Sequence, residues 1–208
     1  MNRTIPVRRA LLAGAATLTA LVLSAGCASS HDGMPNMDHG DATPTTAAPK
    51  GGGTFNDADT KFAQMMIPHH QQAVEMATLA ETQAADPELK KLAAGIKAAQ
   101  GPEITTMSGW LATWGQPTLT PGGHNMPGMG GMPGMMSDAE LDQLKAAKGV
   151  DFDRMFARMM IAHHNGAIIM ARDCQTKGSN AAAKALAAAI EKAQSTEVEQ
   201  LQKILDRL

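Results

Sequence analysis

Phe62-Ala63-Gln64-Met65-Met66-Ile67-Pro68-His69-His70 returns, ninety-four positions on and without a gap, as Phe156-Ala157-Arg158-Met159-Met160-Ile161-Ala162-His163-His164. The duplication reaches well beyond the motif. Asp57–Trp114 aligns with Asp151–Leu208 and keeps Asp57/Asp151, Asp59/Asp153, Met76/Met170, Leu92/Leu186, Ile96/Ile190, Gln100/Gln194, Glu103/Glu197 and Leu111/Leu205 identical. Within a copy, Phe62, Met65, Met66, His69, Ala73, Met76 and Ala80 recur at three- and four-residue steps, which is one stripe of an α-helix. Each copy therefore predicts two helices with one apolar side. Two such hairpins bury those sides against each other as a four-helix bundle with approximate two-fold symmetry.

The punctuation agrees. Asp86-Pro87-Glu88 reads as an N-cap followed by proline in the first turn, opening a second helix to about Trp114. Pro68 is expected to kink the first helix and Gly101-Pro102 to bend the second. Ser137-Asp138-Ala139-Glu140 is a capping box opening a short helix to about Lys148. The third long helix is expected from about Asp151 to Lys177, and Gly178-Ser179-Asn180 ends it and caps the fourth. Asp57, Asp59, Asp151 and Asp153 fall in first turns, where carboxylates meet the positive end of the helix dipole.

Residues 1–26 read as an export signal: Arg3, Arg8 and Arg9, an apolar run from Ala10 to Leu23, then Ser24-Ala25-Gly26-Cys27. The pattern resembles a bacterial lipoprotein signal, with Cys27 as the lipidated residue and a membrane anchor on the extracytoplasmic (periplasmic or cell-wall) side. An ordinary secretory signal and a short membrane helix are the competing readings. Residues 27–55 form a Ser-, Thr-, Pro- and Gly-rich tether, leaving 56–208 for the bundle. Removal of the signal would take three of the 18 basic residues and none of the 20 acidic ones. The resulting acidic balance speaks against nucleic acid as a partner. Cys174 would then be the one remaining thiol besides the lipidated one, so the fold must be held by its core.

The chemistry lies in 16 methionines and seven histidines set against four phenylalanines and no tyrosine. Imidazole suits copper, zinc, nickel and iron, whereas thioether sulfur selects Cu(I) and Ag(I). Met65, Met66, His69, His70 and Met76 in one copy, and Met159, Met160, His163, His164 and Met170 in the other, place two or three ligands within reach of one ion. A duplicated core would show the same pattern, with His69 and His163 bonded to Glu103 and Glu197. Adjacent histidines on a helix point about 100° apart, so at most one of each pair is expected to face fully inward. His124-Asn125-Met126-Pro127-Gly128-Met129-Gly130-Gly131-Met132-Pro133-Gly134-Met135-Met136 adds methionine at every third position of a Gly/Pro loop, where a core has little use for it. The tether carries a second such stretch from His31 to His39. Cys174, one turn after Met170, is a further soft donor, although a single helical cysteine is more often packed. A di-iron bundle would want Glu-x-x-His pairs, and Met66 and Met160 stand where those glutamates would be.

The paired Met-Met-Ile-x-His-His motifs, the Asp ahead of each, the Met-Pro-Gly-Met-Met linker and the Gln-x-x-Glu of the following helix resemble the bacterial "domain of unknown function 305" family over about residues 55–208. That resemblance implies a ferritin-like four-helix bundle, export from the cytoplasm, and the ten helix Met and His residues named above as ligands. It implies copper, and also silver, as the bound metal; His124, Met126, Met129 and Met132 of the Gly/Pro loop are read from their own soft-donor chemistry as capture residues. The function expected is binding and sequestration of Cu(I), or its transfer to a copper-accepting protein, without catalysis. A copper-dependent redox enzyme and a metal-free envelope interaction module are the alternatives. Gln71-Gln72 stands where the second copy has Asn165-Gly166, so the two halves are not expected to be equivalent.

Overall fold

The computed structural model describes residues 52–119 and 132–208, and every described element is helical: α1 (Asp57–Gln83), α2 (Pro87–Thr113), α3 (Asp138–Ala146), α4 (Gly149–Lys177) and α5 (Ala181–Arg207). The expected caps form. Asp86 accepts from the Leu89 N–H, Asn180 from Ala182 and Ala183, and Ser137 with Glu140 closes the capping box that starts α3. Helix α4 starts two residues before the expected Asp151, and α1 runs unbroken through Pro68.

α1 packs on α2 and α4 on α5, as the two hairpins; α1 against α4 is the main contact between them, and α2 and α5 touch sparingly. The four long helices make the expected bundle. Met76 and Ala80 of α1 share one buried cluster with Phe152, Phe156 and Met160 of α4. Phe62 and Met66 of α1 share the other with Met170 and Cys174 of α4. The two helices therefore run antiparallel and cross where His69 meets His163, which is where the pseudo-two-fold axis lies. A polar layer at that level separates the two apolar clusters.

Asp59 and Asp153 do more than neutralise the dipoles of their own helices. Both are fully buried. Asp59 Oδ2 accepts from the backbone N–H groups of Ser179 (2.9 Å) and Asn180 (3.0 Å), at the turn that opens α5. Asp153 accepts from Ala85 (3.1 Å) and Asp86 (2.9 Å), at the turn that opens α2. Each carboxylate thus reaches from the first helix of one hairpin to the turn of the other, and the two clasps are reciprocal. Arg207 reinforces one end through paired bonds to Asp86 at 2.6 and 2.9 Å.

Between the hairpins the chain crosses back over the histidine layer as a strap, residues 132–136, and this crossing breaks the symmetry. On α1 the side chain of Gln72 receives the Met136 N–H and donates to the Met136 carbonyl, both at 2.8 Å. On α4 the residue corresponding to Gln72 is Gly166, and a Cβ there would lie 1.9 Å from the Pro133 carbonyl oxygen. Gly134 has φ +77° and sits against the α4 backbone at Ala162 and His163. The strap then delivers α3 onto the α1–α4 groove, where Met136, Leu141 and Leu144 join the cluster of Met76, Ala80 and Phe156.

Removing a buried carboxylate that accepts several N–H groups leaves those donors unpaired, at about 1–3 kcal/mol for each lost charge-assisted bond. Asp59→Ala and Asp153→Ala are each expected to lower Tm by on the order of 10 °C, read by circular dichroism melts, while leaving helicity at low temperature unchanged. A loss of no more than about 1 °C for either would show that the clasps are not what ties the hairpins together.

Candidate metal centre

Both histidines of each pair are fully buried. The expectation that only one would face inward fails for a simple reason. In a bundle each of α1 and α4 has two packed sides, and the roughly 100° between adjacent residues matches the angle between them. His69 and His163 occupy the α1–α4 interface, with ring centroids 3.7 Å apart and planes tilted by 38°. His70 and His164 turn instead toward the partner helix of their own hairpin. His70 Nε2 lies 2.7 Å from Glu103 Oε2, and His164 Nε2 lies 2.7 Å from Glu197 Oε2. The glutamates are thus bonded to the second histidine of each pair rather than to His69 and His163.

These bonds fix the ring orientations. A carboxylate or carbonyl only accepts, so Nε2 of His70, His164 and His69 carries the proton, the last donating to the Pro133 carbonyl at 3.1 Å. In the neutral ring the lone pair is then on Nδ1. The Nδ1 atoms of His69, His70 and His164, together with both ring nitrogens of His163, are buried and have no hydrogen-bond partner. The His69 carbonyl lies near the His163 ring but outside hydrogen-bonding geometry. Gln100 and Gln194, one turn before the two glutamates, are buried in the same layer with amide atoms that are also unpartnered.

Burial in this layer holds both axial rings neutral. His69 is lowered to about 3 from an ordinary 6.5, by burial first and by the neighbouring His70 next, with the Pro133 carbonyl opposing. His163 is lowered well below 6.5, again by burial first and then by the charges of His69, His164 and His70. Neutral imidazole is the form that ligates.

The thioethers sort across the repeats and not within them. Met76, Met160 and the half-buried Met159 belong to the cluster on one side of the histidine layer. Met66, Met170 and the half-buried Met65 belong to the other. Each set combines both copies, because the antiparallel crossing brings the end of one motif against the start of the other. Met132, the first residue of the strap, is buried and not presented on an open loop. His124, Met126, Met129, Cys27 and the His31–His39 stretch lie outside the described residues. Among the described residues, His, Cys, Asp and Glu side chains form no ready cluster of three metal donors.

The family model for the domain of unknown function DUF305 matches residues 59–205. The chain belongs to the DUF305 family. Among solved structures, a DUF305 protein from Streptomyces coelicolor, assigned as secreted, is 32% identical and superposes with a TM-score of 0.65 over 72% of this chain and 91% of its own. A DUF305 fragment from Deinococcus radiodurans is 29% identical, with a TM-score of 0.66 over 75% of this chain and 100% of the fragment. CopM in its Cu(II)-bound form is 36% identical, with a TM-score of 0.62 over 72% of this chain and 96% of CopM. CopM has also been solved with Cu(I) and with silver. No curated protein matches the sequence.

The signal for the second histidine of each pair was present in the sequence. Glu103 and Glu197 keep a fixed offset from the second histidine, 33 positions in both copies, just as they do from the first, and only the direction of the ring decides which is bonded. The strap contact to His69 carries no comparable signal.

The depressed histidines make the metal-free fold acid-sensitive in a defined window. Below about pH 6.5 the unfolded chain takes up protons that the buried rings refuse, so stability falls as pH falls, by up to about 1.4 kcal/mol per unit for each ring. Thermal melts of metal-free protein are expected to show Tm dropping between about pH 7 and about pH 5, with a shallower slope in His69→Gln/His163→Gln. An unchanged slope in that variant would place the proton uptake elsewhere.

Proposed function

We propose that this DUF305 chain binds Cu(I), and Ag(I), on the outer side of the membrane, holding it in the histidine layer for storage or for transfer to a copper-accepting protein. The observation that carries this reading is the set of imidazoles whose outer nitrogens are bonded to carboxylate or carbonyl while their inner nitrogens have no partner. Leaving a buried polar atom unpaired costs about 1–3 kcal/mol. A metal-ligating histidine characteristically donates its other N–H to such an acceptor, which fixes the ring and its tautomer. The same arrangement occurs in both halves, through Glu103 and Glu197. Buried Met66, Met76 and Met160 and the nearly buried Met170 flank the layer with soft donors, and soft donors favour the monovalent ion.

Support also comes from CopM, more than a third identical to this chain, which has been crystallised with copper in both oxidation states and with silver. The basic and apolar N-terminus ending at Cys27, and a relative assigned as secreted, support placement outside the cytoplasm, with Cys27 as a lipid anchor. Among the described residues no helix is long and apolar enough to cross a membrane. On this reading the ligands are His69, His70, His163 and His164 with Met65, Met66, Met76, Met159, Met160 and Met170. His124, Met126, Met129 and Met132 supply ions from the linker. No step of the proposed role requires turnover.

His69→Ala/His163→Ala is expected to weaken Cu(I) binding by at least about 100-fold in competition with a coloured Cu(I) chelator, with helicity retained. Glu103→Gln/Glu197→Gln should cost about 10-fold or more, because the rings lose the acceptors that orient them. Affinity unchanged in both variants would overturn the assignment of the layer as the metal site.

A further inference from the structure

The pseudo-two-fold axis makes two grooves between α1 and α4, one at each end of the crossing. One is filled by α3, whose Leu141 and Leu144 pack over Met76, Ala80 and Phe156, with Met159 at the edge. The counterparts of those four residues, ninety-four positions away, are Met170, Cys174, Phe62 and Met65. These line a cavity of about 500 Å³, bounded at one edge by Pro133 of the strap. Among the described residues no helix covers it.

The two grooves differ at their rims, and in both senses: the open one has the exposed Ile169 where the filled one has Glu75. Where the filled groove has Met155 and Thr78, the open one has Lys61 and Arg172, charged residues at its rim. Those changes suit a groove that meets water. The floor does not follow that trend. It keeps both thioethers and, where the filled groove has Ala80, it carries the thiol of Cys174. Met170 and Cys174 are one turn apart on the same face of α4, and Met65 faces them from α1, so three sulfurs of two kinds border one solvent-connected space. Cys174 is a free thiol, 2% exposed, and packs with Phe62 and Met66 at the floor of that space.

We infer that this groove is a second soft-metal site, in which Cys174, Met170 and Met65 bind one Cu(I) or Ag(I) ion before it reaches the buried histidine layer. This deepens the proposed function and rests on it for the identity of the ion. Binding forms a bond from Cys174 Sγ to the ion, and the thiol proton leaves to solvent; no electron is transferred. The thiol is pushed up to about 12, chiefly by burial and next by the nearby Asp59 carboxylate, so in the absence of metal it is protonated and inert. The two thioethers beside the single thiolate favour a monovalent soft ion over a hard cation. The site lies beside Phe62 and Met66 in the same cluster that borders the histidine layer, so an ion leaving it has thioethers to move onto.

The full chain is titrated anaerobically with Cu(I) against a chelator, and with Ag(I), while bound metal, released protons and thiolate-to-metal absorption are recorded. Cys174→Ala restores the residue that the filled groove carries at the same position, so it is expected to fold. It should lose one equivalent of metal, the accompanying proton and the thiolate band. Met65→Leu/Met170→Leu removes thioethers that both sites draw on, and it should weaken the thiolate-linked equivalent by about 10-fold or more while keeping its proton release. His69→Ala/His163→Ala should leave the thiolate band intact and remove the other metal. A Cys174→Ala protein with unchanged stoichiometry and proton release would overturn the groove site even if the histidine variants behave as proposed. Loss of the thiolate-linked equivalent alone, with the histidine variants unaffected, would keep the groove site and overturn the histidine layer.

Discussion

His69 and His163 meet ring to ring where α1 crosses α4, and the remainder of the bundle is arranged about that contact. It lies on the pseudo-two-fold axis, separates the core into two apolar clusters, and sets which methionines stand on which side. Neutral imidazoles in contact at the centre of a bundle are a poor way to stabilise it, since several of their nitrogens are left without partners. Stability comes from elsewhere: the apolar clusters on either side and the two carboxylate clasps at the ends. The polar layer can therefore be kept for ligation, because the fold does not depend on it for cohesion.

The clasps and the strap act in opposite senses. Asp59 and Asp153 are equivalent and reciprocal, and each ties one hairpin to the turn of the other. The strap is single, because one linker must cross a two-fold axis, and whatever it touches becomes unequal. Gln72 holds it by two hydrogen bonds on α1, Gly166 makes room for it on α4, and His69 donates to Pro133 while His163 has no such partner. Two sequence copies that begin as equals thus become two imidazole environments. The substitution of Gln72 by Gly166 is the trace of that crossing.

The same crossing leaves two grooves in unlike states. One is filled by α3, with an apolar floor and a Lys145–Glu75 ion pair at its edge; the other is open, with charge at its rim and sulfur at its floor. A duplicated bundle with an asymmetric linker generates such a pair without any new structure. The open groove is free to take on a separate role because its twin already contributes packing.

The sequence by itself determined the bundle, its duplication, the helix caps and the supply of thioether and imidazole side chains on which the proposed function rests. These follow from local rules: a 3.6-residue apolar period, capping residues at fixed offsets, and the softness of thioether and imidazole donors. It also marked His69, His70, His163, His164, Glu103 and Glu197 as one constellation, because they recur at fixed offsets. What it left open was which way each ring points. Tertiary structure decided that His70 and His164 take the glutamates, that both histidines of each pair are buried, and that the methionines group across copies. It also buried Met132 within the strap and left Cys174 on the floor of an open groove. The reason is that these are relations between helices: antiparallel crossing about one point pairs residues whose numbers sum to a constant, and no spacing along a single helix reveals that constant.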